Sequence, residues 1–411
     1  MLRFGRLLLP LLAGIVPALA ADVDSAALLN RLKARVRENA ASIPRFVCRI
    51  RLERLDYAPA GGRKPCRTLT GHELDNREFT LQVSDRANLD VILTHMGEMF
   101  AWPGGQSFQA ITPNVLLGGG FSGSGDFSSF LTSVFVLPGV TIEYQGPCET
   151  SACVRYRYDV PSSASKYTLQ TLFEEVIVGY HGFFEANPET ADLISLTVIP
   201  TGVRKAISGT CDMRTQMTYA KAAIASGVYT IPQSTEKLLL AQDGTLYRNR
   251  ISYQSCREYT SESSISFGEE DPVKPGPPKP GPNPVLPSAG TRLNLRLVTK
   301  IDSEKNSAGD PVEARLSRAA RDESGHSIPA GTLFRGHITR VQTMHGRSGG
   351  TVIAFRFDSM VLDGTPVPVK LDPAFPDNMG NEIFRLQGRR AVLNAGVESR
   401  WRFEGAVALV Q

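Results

Sequence analysis

Gly118-Gly-Gly120-Phe-Ser-Gly123 spells G-x-G-x-x-G, the turn that lets a backbone approach a dinucleotide pyrophosphate. Its surroundings are wrong for that chemistry. Pro113 breaks the run before it, no βαβ unit encloses it, and Asp126 stands where a phosphate would meet the next helix. No Lys-Ser/Thr of a P-loop follows. The segment reads as a flexible Gly/Ser loop or flap. Ser122 and Ser124 lie in it, outside any G-x-S-x-G elbow. The six histidines (His72, His95, His181, His326, His337 and His345) are scattered, and none has a recognisable catalytic setting. Glu174 and Glu175 are neighbours on an expected strand, so they project to opposite faces and form no carboxylate pair. His95-Met96-Gly-Glu-Met99 and Met344-His345 offer soft ligands to copper, but are sparse and read as packing and surface residues. The residues therefore assign no catalytic group, no cofactor and no metal.

Cysteine chemistry is better defined. Cys48, Cys66, Cys148, Cys153, Cys211 and Cys256 are an even set, which reads as three disulfides in an exported chain. There is no CxxC pair to suggest zinc. Cys148 and Cys153 sit between two strand-like runs, as in a stapled hairpin. Cys48 and Cys66 flank the turn-rich Ala58-Pro59-Ala60-Gly61-Gly62, which leaves Cys211 with Cys256. Once Cys148–Cys153 is assumed, the other four still allow three connectivities.

Aromatic residues gather around the Gly-rich loop: Phe100, Trp102, Phe108, Phe121, Phe127, Phe130 and Phe135, joined by Phe183 and Phe184. They read as ordinary core, or as the wall of an apolar cavity between a sheet and its helices. The ligand-lining set expected from the second reading is Phe100, Trp102, Phe121, Phe127, Phe130, Phe183 and Phe184.

The elements that must position these residues follow from pattern. Of the 411 residues, 42% are apolar and 21% charged, with a net charge of +4. That is globular composition and demands no polyanionic partner. Met1 to Ala20 has a basic start (Arg3, Arg6), an apolar run and an Ala18-Leu19-Ala20 exit, which reads as a signal peptide cleaved near Ala20. The mature chain is expected in the periplasm or outside the cell, with no transmembrane segment and no nucleic-acid partner. Residues 271–287 hold eight prolines in seventeen residues and read as a semi-rigid spacer. The spacer divides a 21–270 module from a 288–411 module.

In the first module, Leu28, Leu29, Leu32 and Val36 mark a helix over Ser25 to Asn39, and a second is expected over Asp126 to Val134. Alternation elsewhere, clearest in Val154-Arg-Tyr-Arg-Tyr-Asp-Val160, predicts an antiparallel meander. The second module reads as a small all-β barrel or sandwich, with Arg385, Arg389, Arg390, Arg400 and Arg402 crowding its end as a possible anionic-headgroup or glycan contact. The fold class is mainly β: a curved half-barrel with two helices, a Pro-rich linker and a small barrel.

An amphipathic helix leading into Phe46-Val-Cys-Arg-Ile50, a long meander, and late strands through Val176 to Phe183 and Asn187 to Ile194 resemble the outer-membrane lipoprotein carrier (LolA/LolB-like) superfamily. That resemblance implies a half-barrel holding a lipid or acyl chain. Ala289-Gly-Thr-Arg-Leu, Gly309 to Leu316 and Ile328 to Gly336 distantly resemble the TrbI-like periplasmic β-barrel of type IV secretion scaffolds. The whole chain also resembles uncharacterised two-domain envelope proteins of Gram-negative bacteria. The expectation is a non-enzymatic envelope protein that binds an apolar ligand or a protein partner in its half-barrel and docks to an envelope protein partner through the 288–411 module. The alternatives are an assembly scaffold with a filled core and, third, an envelope hydrolase.

Overall fold

A computed structural model describes residues 24–62, 66–74, 78–94, 97–105, 108–109, 113–117, 129–149, 152–170, 175–259, 286–346 and 349–406. The signal segment, the Gly-rich loop with Phe121, Ser122, Ser124 and Phe127, Glu174, His95-Met96, and 271–285 of the Pro-rich stretch lie outside the described residues. The fold is mainly β, with antiparallel strands throughout its named pairings.

Helix α1 (Ser25–Ser42) opens on Asp24, whose carboxylate accepts a hydrogen bond from the Ala27 amide at 2.9 Å. It buries Leu28, Leu32 and Val36. It runs three residues past the expected end and stops because Pro44 forces Ile43 into an extended conformation. The other helical pieces are α2 (Pro113–Leu116), α3 (Ser129–Phe135) and α4 (Val203–Ala206).

The strands of the first part are β1 (Phe46–Pro59), β2 (Phe79–Thr94), β3 (Gly97–Ala101), β4 (Thr141–Pro147), β5 (Val154–Val160), β6 (Thr168–Gln170), β7 (Glu175–Ile177), β8 (Tyr180–Ala186), β9 (Leu193–Pro200), β10 (Thr210–Ile224), β11 (Gly227–Ala241) and β12 (Leu246–Glu258). Ten form an open sheet in the order β4-β5-β8-β9-β10-β11-β12-β1-β2-β3. The last long strand therefore lies beside the first. β7 and β8 are separated by a two-residue break at Val178-Gly179. Gly179 sits at the break, where a Cβ would lie 2.9 Å from the Val160 carbonyl and the Ser162 amide. β11 runs continuously through Pro232, which it admits at a register shift.

The remaining strands are β13 (Arg292–Leu297), β14 (Ile301–Asp302), β15 (Pro311–Leu316), β16 (Ala320–Arg321), β17 (Ser327–Ile328), β18 (Leu333–Met344), β19 (Gly350–Leu362), β20 (Thr365–Pro373), β21 (Glu382–Gln387), β22 (Val392–Leu393) and β23 (Glu398–Ala406). Six of them pair in a closed circuit, β13-β15-β18-β19-β20-β23 and back to β13. Alternate residues fill the interior: Leu293, Leu295, Val312, Ala314, Phe334, Phe357, Trp401 and Phe403 are all essentially inaccessible. Trp401 satisfies its indole N–H on Ser399 Oγ at 2.8 Å.

The barrel and the open sheet are joined through β2. Gln342 to Met344 of β18 pair with Val83 to Asp85 of β2, and Ala308 bridges Ala87. Gly309 is required here: its φ is +91°, and a Cβ would stand 2.2 Å from the Asn88 carbonyl. Trp102 packs on the His337 ring at 4.5 Å between centroids. The contact covers part of a β2 edge that would otherwise expose unpaired backbone groups.

Glu382 is buried at the foot of β21, and its Oε2 has no hydrogen-bond partner among the described residues. Burial pushes its carboxyl up to about 7, against the lowering effects of the Phe375 backbone and Arg400. A carboxyl raised in the folded state contributes stability below its ordinary value of 4.5, and that contribution is lost as pH rises towards 7. Glu382→Gln is therefore expected to remove part of the fall in melting temperature between pH 5 and 7.5. An unchanged slope in a thermal melt series would show that Glu382 does not titrate in this window.

Candidate functional site

The disulfides are Cys48–Cys256, Cys66–Cys211 and Cys148–Cys153. The third is the expected hairpin staple. The expected Cys48–Cys66 and Cys211–Cys256 pairs are corrected. Cys48 lies in β1 beside β12, which carries Cys256, so that bridge crosses neighbouring strands 208 residues apart in sequence. Cys66 lies in a loop that covers Leu238, Leu240 and Leu246 and is tied to Cys211 at the start of β10. The hairpin reading failed because Cys66 lies in the loop beyond the far end of β1, and the strand that returns along β1, β2, places Val91 opposite Cys48.

The described aromatic residues of the expected ligand set are not brought together. Phe130 and Phe184 belong to one core, with α1, Tyr156, Tyr158 and Tyr180. Rings interlock there: Phe184 stacks on Tyr156 at 5.0 Å, and Phe130 meets Tyr180 edge-on at 5.6 Å. Phe100 and Trp102 belong to a second core, with Cys48, Leu52 and Ile231. Phe183 alternates to the other face of β8 and is 38% exposed. Beneath α1 a gap of about 30 Å³ remains, bordered by Leu32, Val36, Leu131 and Leu193.

A far larger concavity, about 530 Å³, lies on the opposite, outward face of β10, β11, β12, β1 and β2. Register builds it from two lateral rows. One row runs Gln216, Glu236, Arg250, Glu53, Arg86; the next runs Thr218, Ser234, Ser252, Arg51, Asn88. Directly paired side chains start about 5 Å apart, and rows on one face are separated by about 7 Å. The first row alternates in charge and is internally paired. Arg250 lies 3.4 Å from Glu53 and 3.6 Å from Glu236, while Glu236 also takes Arg248 at 2.5 Å. Arg86 donates to the Ser303 and Asn306 carbonyls of the barrel part, which places the cleft beside the junction. Arg51 is exposed and has no hydrogen-bond or ion-pair partner among the described residues.

On the inner face of the same strands lies a buried polar row: Thr215, Lys237, Asn249, Arg54 and Asp85. Arg54 grips Asp85 through two hydrogen bonds, 2.7 and 2.6 Å. Asp56, one step along β1 on this face, is raised to about 6 by burial and by the Asp85 charge, with Arg54 opposing. Neither row was read from sequence. Alternation in Arg51-Leu-Glu53 and Arg250-Ile-Ser252 shows a polar face, but which strands lie side by side is set by pairings across some 200 residues.

Two histidines have partners worth chemical scrutiny. His345 Nε2 lies 2.8 Å from Ser84 Oγ, and burial with Arg389 nearby holds its pKa below the ordinary value. No carboxylate orients that imidazole among the described residues. His337 Nδ1 lies 2.7 Å from Asp358, and no serine hydrogen-bonds to it among the described residues. The two histidines are eight residues apart around an extended strand, about 20 Å or more, so the pairs do not combine into a triad. Cys148, Cys153 and Glu185 come within ligand distance of one another, but both sulfurs are joined in a disulfide and offer no thiolate. Glu175 is exposed, and Met344 is 39% exposed. Of the C-terminal arginines, Arg389 donates to the His345 carbonyl, Arg390 pairs with Glu304 and Arg402 with Asp372, so the group does not form one patch of uncommitted charge.

Comparison with protein-family models, curated proteins and solved structures gives no match. The chain is thus defined by what its own geometry displays: an open antiparallel sheet with a packed inner face, a closed six-stranded barrel, and a polar outward cleft beside their junction. No described helix is long and apolar enough to cross a membrane.

Proposed function

We propose that this chain is a non-enzymatic binding scaffold of the extracytoplasmic envelope, and that it engages its ligand or partner on the outward cleft. One observation carries this reading. Among the described residues, interlocking rings pack the inner face of the sheet and the gap under α1 is about 30 Å³, while the outer face opens to about 530 Å³. An acyl carrier needs the reverse. The three disulfides support an oxidising compartment, in keeping with the signal-like Met1 to Ala20 segment. The barrel, docked on β2, serves as the rigid base that holds the cleft strands in register.

Placing a photoreactive benzophenone residue at Gln216, with Phe183 as a control on a different exposed site, tests this in exported protein. Cross-linked product at Gln216 and none at Phe183 is expected. Equal labelling at both, or none at Gln216, would remove the cleft as the working surface.

A further inference from the structure

The donor and acceptor inventory of the cleft defines the chemistry of what it holds. Arg51 brings five N–H donors and has no partner among the described residues. Across the pair from it, Ser252 Oγ accepts a hydrogen bond from Gln254 Nε2 at 3.4 Å, leaving its own O–H to donate. Thr218 and Ser234 share one hydrogen bond at 2.7 Å, so one of their two hydroxyl protons is still unassigned. Gln216 adds an exposed amide at the end of the neighbouring row. The acceptors are differently placed. Glu236 and Glu53 face Arg248 and Arg250, which occupy them. The Arg51 end therefore has a surplus of donors, and the strongest of these is a planar guanidinium suited to two-pronged recognition.

We infer that the Arg51, Ser252, Ser234 and Thr218 shelf binds an acceptor-rich anion, a carboxylate or phosphate group carried on a polar ligand. This rests on the cleft being the binding surface and names the chemistry it selects. The adjacent ion-paired row tunes the shelf: Glu53 and Glu236 hold Arg250 in place, so removing one carboxylate frees positive charge about 7 Å from Arg51. No aromatic residue is among the described residues that line the cleft, so recognition comes from hydrogen bonds and charge. It should weaken with salt because the site is open to water.

The test uses the full exported chain and four probes: trigalacturonate, inorganic phosphate, phosphatidylglycerol vesicles, and neutral maltotriose. Binding is measured by calorimetry or sedimentation and located by hydrogen exchange. At least one anionic probe is expected to bind and slow exchange in 216–218, 234–236 and 250–252. Arg51→Gln should weaken it at least tenfold, Arg51→Lys less, and Glu53→Gln should tighten it several-fold. Which probe wins separates a sugar acid, a free anion and a lipid headgroup. Maltotriose bound as well as the anions, with Arg51→Gln without effect, would overturn the anionic assignment and leave the cleft standing. Absence of any protection by the four probes would also overturn it, and cross-linking at Gln216 then decides separately whether the cleft binds anything.

Discussion

Asp85→Ala is expected to destabilise the chain by about 3–5 kcal/mol, the range for removing one partner of a buried ion pair. Arg54 and Asp85 both have side chains only 10% exposed and are joined bidentately. Lys237 is buried in the same row. Without Asp85 the buried row keeps Arg54 and Lys237, and Asp56 is a carboxyl one step along β1 on the same face. That group responds in a defined direction: the Asp85 charge helps to raise it to about 6, so its removal lowers it and makes Asp56 a better counter-ion. Compensation is partial because Asp56 sits one step away on β1, while Asp85 faces Arg54 directly. Asp85 also lies in the stretch of β2 that pairs with Gln342 of β18, so the loss should loosen the barrel junction. Arg54→Met with Asp85→Leu should lose less than Asp85→Ala alone, since an apolar pair leaves no bare charge. Urea unfolding of the three variants measures this. A cost below about 1 kcal/mol for Asp85→Ala, the exposed-pair range, would mean that water reaches the row.

The second large effect concerns the staples. Cys48–Cys256 closes 208 residues and Cys148–Cys153 only 5. Chain entropy assigns the long closure about 5 kcal/mol and the short one about 2. Cys48→Ala with Cys256→Ala should therefore lower the unfolding midpoint far more than the same change at Cys148 and Cys153. The long bridge also ties the first strand of the sheet to the last, so its loss should release the β1–β12 seam first. Hydrogen exchange at Val47 to Ile50 and at Gln254 to Arg257 reports that seam. Equal midpoints for the two double variants would mean that the bridges do not act by restricting the unfolded chain.

Local pattern carried the elements and failed on their neighbours. Leu28, Leu32 and Val36 marked the buried side of α1, and the alternation of Val154 to Val160 marked β5, because each depends on residues a few positions apart. The cysteine pairs and both polar rows depend on β12 returning beside β1, which no spacing near Cys48 records. Aromatic content was visible but its role was not, since Phe183 and Phe184 differ by one position and face opposite sides of one strand. Buried Lys237, Arg54 and Asp85 look in sequence like surface charge. They are internal because the strands that carry them pair into one row.

The most direct measurement is mass spectrometry of an organic extract of the full chain, exported through its own N-terminal segment and purified without detergent. A packed inner face predicts no lipid at stoichiometric amount from folded protein. One lipid or acyl chain per polypeptide would contradict it and return the binding function to the inside of the sheet.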